Sequence, residues 1–401
     1  MKVLFALPFC PVPADFGGAL RVYHLVKQVS LRHQVSVVCY GEPAEAERLR
    51  SELKLHEVVM VPPTWKAKRR RLGQLFSTFT THSFFQLSVA SAQFEAELNR
   101  MLAKTPFDVV QTEFSHLGPF DLKTSALKVL DTHNVEYDNF RRMWESSPWG
   151  VKKLHYGLEY RKMRADELET CRRQDVLLAT SERDKEMFEG DVPGSPKRVV
   201  PNGVDSDFFT PAPSHLPVEP WSLAFTGMMA YVPNHDGIKW FLDEVFPLIQ
   251  QKVPKAKLYV VGKNPPAHIT QRESDAVRVT GTVPDVRPYV WKAAAYVVPL
   301  RMGGGTRLKI AEAMAMKKAI VSTRIGCEGI ELADGESALL ADDPKSFADA
   351  TVRLLEDQAL AARLAEKGYQ LAKAKYDWRS IGDTLDGIYR EHLPGHVKGA
   401  A

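Results

Sequence analysis

Short apolar runs, each followed by a longer stretch of helical spacing, recur along this chain from one end to the other. A first series lies at 3–9, 35–40, 58–62, 107–113, 128–133, 176–181 and 198–202. A second lies at 222–227, 257–262, 277–283, 295–300, 319–326 and 337–341. The runs are apolar throughout rather than alternating. They therefore read as strands covered on both faces, and the helical stretches between them read as crossovers of parallel sheets. Between the two series stands PAPSHLPVEP (211–220), a proline-rich stretch that helix interiors and central strands reject. The pattern predicts an α/β chain of two doubly wound, Rossmann-like domains facing a cleft, at 1–210 and 211–377. A last helix at 378–392 is expected to return to the first domain. A length of 401 residues suits two domains. Sheets of this kind hold ligands beyond the carboxyl ends of their strands.

The densest chemistry lies in PLRMGGGTRLKIAEAMAM (299–316). A buried strand ends at Leu300, and Gly303, Gly304 and Gly305 follow. A helix is expected to open at Thr306 and to carry Arg307, Leu308, Lys309 and Glu312. Glycines let a backbone approach a phosphate closely, and the N–H groups of a helix start favour an anion. Lys309 and Glu312 share a helix face, three residues apart. As a surface ion pair they would contribute under ~1 kcal/mol. A charge-assisted hydrogen bond contributes about 1.5–3 kcal/mol. The segment therefore reads as a diphosphate site, with the cations on phosphate and the carboxylate on ribose hydroxyls.

Composition narrows the alternatives. Apolar residues make up 44% and charged residues 25%, as in ordinary globular proteins. A net charge of +4 with no concentrated basic domain argues against nucleic acid as a partner. Cys10, Cys39, Cys171 and Cys327 are scattered and match no metal spacing, so no metal or other cofactor is expected. The apolar start at 3–9 is too short for a secretory signal and is followed by prolines, and no run reaches membrane-spanning length. A cytoplasmic protein is expected. No GxGxxG follows the first strand, where the loop reads PFCPVPADFGG, which counts against a dinucleotide-dependent oxidoreductase.

Several segments, in order, carry a resemblance to one family. They are Gly17-Gly18 after the first strand, His133 in DTHNVEYDNF, Thr180-Ser181-Glu182, and Pro201-Asn202-Gly203-Val204-Asp205. In the second half they are Gly227, Val261-Gly262, Gly281 in TGTVPD, and GGGTRLKIAEAMA. The chain resembles the retaining GT-B glycosyltransferases of the family-4 kind (bacterial glycosyl transferase group 1). The resemblance implies transfer of a hexose from a UDP-, GDP- or similar nucleotide sugar to a carbohydrate or lipid-linked acceptor. Its setting would be cell-surface polysaccharide or glycolipid assembly. It gives His133, Arg307 and Lys309 catalytic roles. It puts Gly17, Gly18, Gly227, Val283, Gly303, Gly304, Gly305, Thr306, Leu308 and Glu312 around the donor, with Val283 in the loop lining the base. Many relatives carry a glutamate where this chain has Gly304. Many also carry a basic pair where this chain has 228–234, MMAYVPN. A sugar-nucleotide epimerase on the same layout is the alternative enzyme class. A carbohydrate-binding protein without catalysis would have no use for a diphosphate site.

Other residues are read from position. His133 ends an apolar strand, where it either caps a loop or faces the cleft. Glu136, three residues on, is placed to orient or charge it. Arg21, one turn into the first helix, is placed to support an anion on the acceptor side. Asn202 and Asp205 read as hinge residues. Finally, Lys66, Lys68, Arg69, Arg70 and Arg71 precede Leu72, Leu75, Phe76 and Phe79 at helical spacing, with Phe84, Phe85 and Leu87 beyond. Two readings of 66–87 stand side by side: a peripheral contact with an anionic membrane surface, or a core-facing helix behind a solvated charge run.

Overall fold

The computed structural model describes residues 1–14, 16–63, 77–118, 120–303 and 306–393. All thirteen apolar runs form strands, seven in one sheet and six in another. The first sheet comprises β1 (Lys2–Leu7), β2 (Gln34–Tyr40), β3 (Glu57–Val61), β4 (Val109–Glu113), β5 (Leu127–Asp131), β6 (Val176–Ala179) and β7 (Lys197–Val199). Its order is β3-β2-β1-β4-β5-β6-β7, and every pairing is parallel. The second comprises β8 (Glu219–Thr226), β9 (Lys257–Val261), β10 (Val277–Gly281), β11 (Ala293–Val298), β12 (Ile320–Ser322) and β13 (Leu339–Leu340), in the order β10-β9-β8-β11-β12-β13. Register is fixed by the buried runs: Val3 pairs with Val35 on one side and Val109 on the other.

In both sheets the strand order reverses beside the first strand of the set, between β1 and β4 and between β8 and β11. Crossovers leave these points in opposite directions, so a crevice opens at the carboxyl ends. After β1 the chain reaches the helix Gly17–Ser30, and after β11 it reaches Gly303 and the helix Leu308–Ala315.

The chain divides into two compact units, 1–200 with 381–401, and 201–380. The expected boundary at 210/211 is corrected to 200/201. The segment after Pro201 belongs with the second unit because Val204 bridges Asp377 and its N–H donates to the Tyr376 carbonyl at 2.7 Å. Asp205 does not stand free: its Oδ1 accepts the N–H groups of Asp207 and Phe208 at 3.0 and 3.2 Å, closing a local turn. The last helix, Trp378–His392, starts in the second unit, and from Ile381 onward it belongs to the first.

Candidate active site

At the carboxyl ends of β4 and β5, polar side chains replace the apolar run. Arg21, 1% exposed, reaches from the helix Gly17–Ser30 to Asp131 at the end of β5. Its Nε and Nη2 donate to the two carboxylate oxygens at 2.9 and 3.0 Å, and Nη2 also donates to the Val200 carbonyl at 2.8 Å. Two residues on, His133 is 5% exposed, and its Nε2 lies 2.6 Å from Glu113 Oε2 at the end of β4. Gln111 donates to the other Glu113 oxygen at 2.6 Å, and Tyr389 donates to Gln111. Burial, and the charge of Asp131 beside it, push the Glu113 carboxyl above its ordinary range.

Phe114 and His133 both hold left-handed backbone, with φ of 66° and 39°. Their rings stack at 3.8 Å. Non-glycine residues in this region carry strain that surrounding packing must hold, and such residues cluster at functional sites. Glu113, Asp131 and His133 are the group among the described residues whose ligand atoms converge within 4.8 Å, as a metal site would need. Arg21 already places a cation on Asp131, so the group balances charge from within the chain.

At the carboxyl end of the second sheet the arrangement is cationic. The helix Leu308–Ala315 carries Lys309 in its first turn. Its Nζ donates to Asn234 Oδ1 at 2.7 Å and lies 4.0 Å from the centroid of the Phe225 ring. Asn234 Nδ2 donates to the Met228 carbonyl at 2.8 Å, which ties the loop after β8 to the lysine. Gly227 leaves room for this: a Cβ there would stand 2.7 Å from Lys309 Nζ and 2.8 Å from Asn234 Nδ2. Gly303, at φ 118°, admits the Arg307 guanidinium, whose Nη2 would be 3.1 Å from a Cβ. Arg307 is buried, with Nη2 3.8 Å from Glu328 Oε2. Desolvation pushes Lys309 down to about 7, with Arg307 adding to the fall and Glu312 opposing it. Desolvation likewise pushes Glu312 up to about 7, against the pull of Lys309. One face of a single helix thus holds an acid and a base whose pKa values meet near neutrality.

Three expectations are corrected. The helix begins at Leu308 rather than Thr306, because Arg307 is its cap residue with non-helical ψ of 78°. Arg21 is not presented to an incoming anion, since Asp131 takes its guanidinium in the interior. The carboxylate on His133 is Glu113 rather than Glu136, which instead accepts from the side chains of Asn134 and Asn139 at 3.4 and 3.5 Å. Gly17 and Gly18 open the first helix, and nothing lies within 4 Å of a Cβ built on Gly17. Thr306 Oγ1 is buried without a hydrogen-bond partner among the described residues. Val283 follows β10 and lines a cavity of about 630 Å3 with Leu216, Pro217, Pro284 and Tyr289.

Gly304 and Gly305 lie outside the described residues, as does 64–76 of the basic stretch. Of the remainder, Phe84 is buried, and Phe85 packs edge-on against His116 and Phe140 at 4.9 and 5.8 Å. Both rings face the protein, whereas Phe79 of the same stretch is 84% exposed. Glu113, Asp131 and Asn234 were not singled out in the sequence. The signal was available for the first two, as carboxylates closing otherwise apolar strands. Asn234 had none, because its partner is 75 residues away.

Two crevice-bearing parallel sheets, one with a buried histidine–carboxylate network and one with a glycine-lined cationic pocket, define a GT-B α/β protein. Two family models match the chain, "Glycosyltransferase Family 4" over 17–208 and "Glycosyl transferases group 1" over 221–357. The chain belongs to the family-4, group 1 glycosyltransferases, and it is a glycosyltransferase. It is 24% identical over 98% of its length to an uncharacterized 44.6 kDa protein in the cps region of Klebsiella pneumoniae, covering all of that protein. It is 25% identical to the lipopolysaccharide core biosynthesis mannosyltransferase LpcC of Rhizobium leguminosarum bv. viciae, across 55% of this chain and 66% of that one. Anabaena Alr3699/HepE, solved in complex with UDP, has the same fold, with a TM-score of 0.66 at 14% identity, covering 97% of this chain and 99% of that one.

Proposed function

We propose that the protein moves a hexose from a nucleotide diphosphate sugar to an acceptor hydroxyl, with retention at the anomeric carbon. The setting would be the assembly of cell-surface polysaccharide or a glycolipid. The observation that carries this reading is Lys309, held on Asn234 in a glycine-walled pocket at the switch point of the second sheet. A diphosphate fits beside Lys309 and Arg307, within reach of the backbone at Gly227, at Gly303 and at 306–308, while Glu312 takes ribose hydroxyls. When the bond from the anomeric carbon to the diphosphate oxygen breaks, negative charge builds on that oxygen. Two cations fixed in advance by Asn234 and Glu328 stabilise it without reorganisation. The cations of the chain take the role a metal has elsewhere.

On the acceptor side, His133 is fixed by Glu113 and by stacking on Phe114, so its ring is set before substrate arrives. The alternative enzyme class, epimerisation, has no observation of its own in its favour. A mannosyltransferase relative and a UDP-bound neighbour support a nucleotide-sugar donor.

The test is a thermal-shift screen with UDP, GDP, their hexose conjugates and NAD. A ligand at a hundred times its dissociation constant stabilises by about 2.7 kcal/mol. A UDP or GDP compound is expected to give that shift, and Lys309→Met to abolish it. Tight NAD binding with no response to UDP or GDP, or unchanged affinity in Lys309→Met, would overturn the reading.

A further inference from the structure

The helices Glu136–Ser146 and Val151–Arg172 form an antiparallel hairpin in the first unit. At its base Glu167 accepts the Ser115 hydroxyl at 2.9 Å and the Tyr137 N–H at 3.0 Å. Ser115 belongs to the turn after β4, so Glu167 marks the level of the sheet's carboxyl end. Further out, Trp144 stacks on Tyr160 with ring centroids 5.9 Å apart. A Cβ on Gly157 would stand 3.0 Å from the Trp144 indole nitrogen. Up to this point the two helices are closely packed.

Beyond it the tip turns large apolar side chains to water. Trp149 is 85% exposed, Val151 84%, Leu154 66% and Met143 39%. A turn that only joined two helices would be polar. Apolar side chains gathered on one projection mark an interaction site. Charge selects the partner. The 143–154 tip holds Lys152 and Lys153 against one carboxylate, Glu145, and His155 follows directly. Lys153 Nζ sits 5.5 Å from the centroid of the Trp149 ring. Asp138, nearer the base, is shared by three guanidinium groups, those of Arg141, Arg142 and Arg183. Tryptophan and aliphatic residues flanked by lysines suit the boundary between headgroups and acyl chains, with the cations among anionic headgroups.

We propose that the 143–154 tip inserts into the headgroup region of an anionic lipid bilayer. Val151 precedes Glu167 by sixteen residues, which at helical rise sets the tip about 24 Å along the helix from the residue that holds the turn after β4. The hairpin leaves the sheet just after β5, at the end that carries His133. A bilayer met there lies on the side from which a lipid-linked acceptor would approach. This docking is independent of the donor chemistry proposed above, and its test reads lipid rather than nucleotide.

The full chain is mixed with vesicles of phosphatidylcholine and phosphatidylglycerol, or of phosphatidylcholine alone, and pelleted. Wild type is expected to sediment with the anionic vesicles. The triple variant Trp149→Ser, Val151→Ser, Leu154→Ser should lower the bound fraction about tenfold or more. The double variant Lys152→Glu, Lys153→Glu should remove the preference for anionic lipid. The triple variant changes exposed side chains and should keep the wild-type melting temperature and nucleotide shift. The double variant gives up the Lys153 bond to the Ser147 carbonyl at 3.0 Å, so its unchanged nucleotide shift is the check that it is folded. Wild type that sediments with neither vesicle overturns the proposal, as does a triple variant that binds like wild type. So does a wild-type dimer that the triple variant dissociates without any vesicle binding, since the tip would then meet a second copy of the chain.

Discussion

Lys309 and Glu312 are half-buried, one turn apart, with pKa values that meet at about 7. The lysine is cationic below that value and neutral above it. A nucleotide sugar carries a diphosphate that does not titrate in this range, so its affinity should follow the lysine and fall as pH rises. For a single cation with this pKa, the loss between pH 6 and pH 8 is about tenfold, since one pKa unit corresponds to 1.36 kcal/mol. Ionisation of Glu312 over the same range adds repulsion and acts in the same direction. Calorimetry at the two pH values, with whichever UDP or GDP conjugate gives a thermal shift, reads the effect. In Lys309→Met the profile should be weak and nearly flat, and an equally steep profile in that variant would assign the titration elsewhere. The neighbouring glycines separate two kinds of tolerance. A Cβ on Gly227 meets the ends of two side chains, which can swing aside at the expense of the site. A Cβ on Gly262 would lie 1.8 Å from the Gly227 carbonyl oxygen, which is backbone and has no rotamer to change. Gly227→Ala should therefore lose nucleotide binding for ~1–3 kcal/mol of stability, and Gly262→Ala should exceed that range. Urea titration of the two variants side by side checks the order.

Between elements, buried carboxyls do the fastening. Glu167 holds the turn after β4 through Ser115 and the start of the helix Glu136–Ser146 through the Tyr137 N–H. Burial first, and the charge of Glu136 second, push its pKa up to about 8. In the unfolded chain it is an ordinary glutamate with a pKa near 4.3. A raised folded value means the native state holds the extra proton. The contribution is full below the unfolded pKa and is lost as pH rises towards 8, by up to about 1.4 kcal/mol per pH unit. Glu167→Gln keeps the shape, with its carbonyl accepting from Tyr137 and its amide facing the Ser115 oxygen. Its melting temperature should match wild type at pH 5 and exceed it at pH 8. A variant that falls below wild type at both would show that the proton is not held. Such fastenings also mark the limit of what the sequence discloses. The strands were legible because an all-apolar run such as 3–7 is already a local statement about burial. The cationic pocket was legible because Gly303, Arg307, Lys309 and Glu312 are close in the chain. Arg21 with Asp131, 110 residues apart, and His133 with Glu113, 20 apart, join only when β1, β4 and β5 line up. Arg21, read as a support for an incoming anion, and Glu136, read as the partner of His133, were misassigned for that reason: the sheet gives Arg21 to Asp131 and His133 to Glu113.

At the scale of the molecule the chain leaves the first unit at Val200 and returns to it at Ile381. Proline composition pointed to 211–220 as the boundary, yet the ten residues before it pack with the second unit, because contact with Tyr376 and Asp377 outweighs local flexibility. The return is substantial. Ile381, Leu385, Ile388 and Tyr389 are buried, Tyr389 donates to Gln111 beside Glu113, and His33 Nε2 lies 2.5 Å from Asp386. A Cβ on Gly382 would stand 2.7 Å from the Gln28 side chain, so this helix lies directly on the helix Gly17–Ser30. Burying four such side chains contributes roughly 6–12 kcal/mol, at ~1.5–3 kcal/mol each. A whole domain has only about 5–15 kcal/mol of net stability. Ending the chain at Ser380 should therefore unfold the first unit and spare the second, although the residues removed follow the second in sequence. Amide hydrogen exchange on the shortened chain is expected to show protection lost across β1–β5 and kept across β8–β12, with the nucleotide-induced shift intact. Equal protection of both sheets would mean that the first unit holds together without its returning helix. Loss from both would mean that the two units fold as one cooperative body.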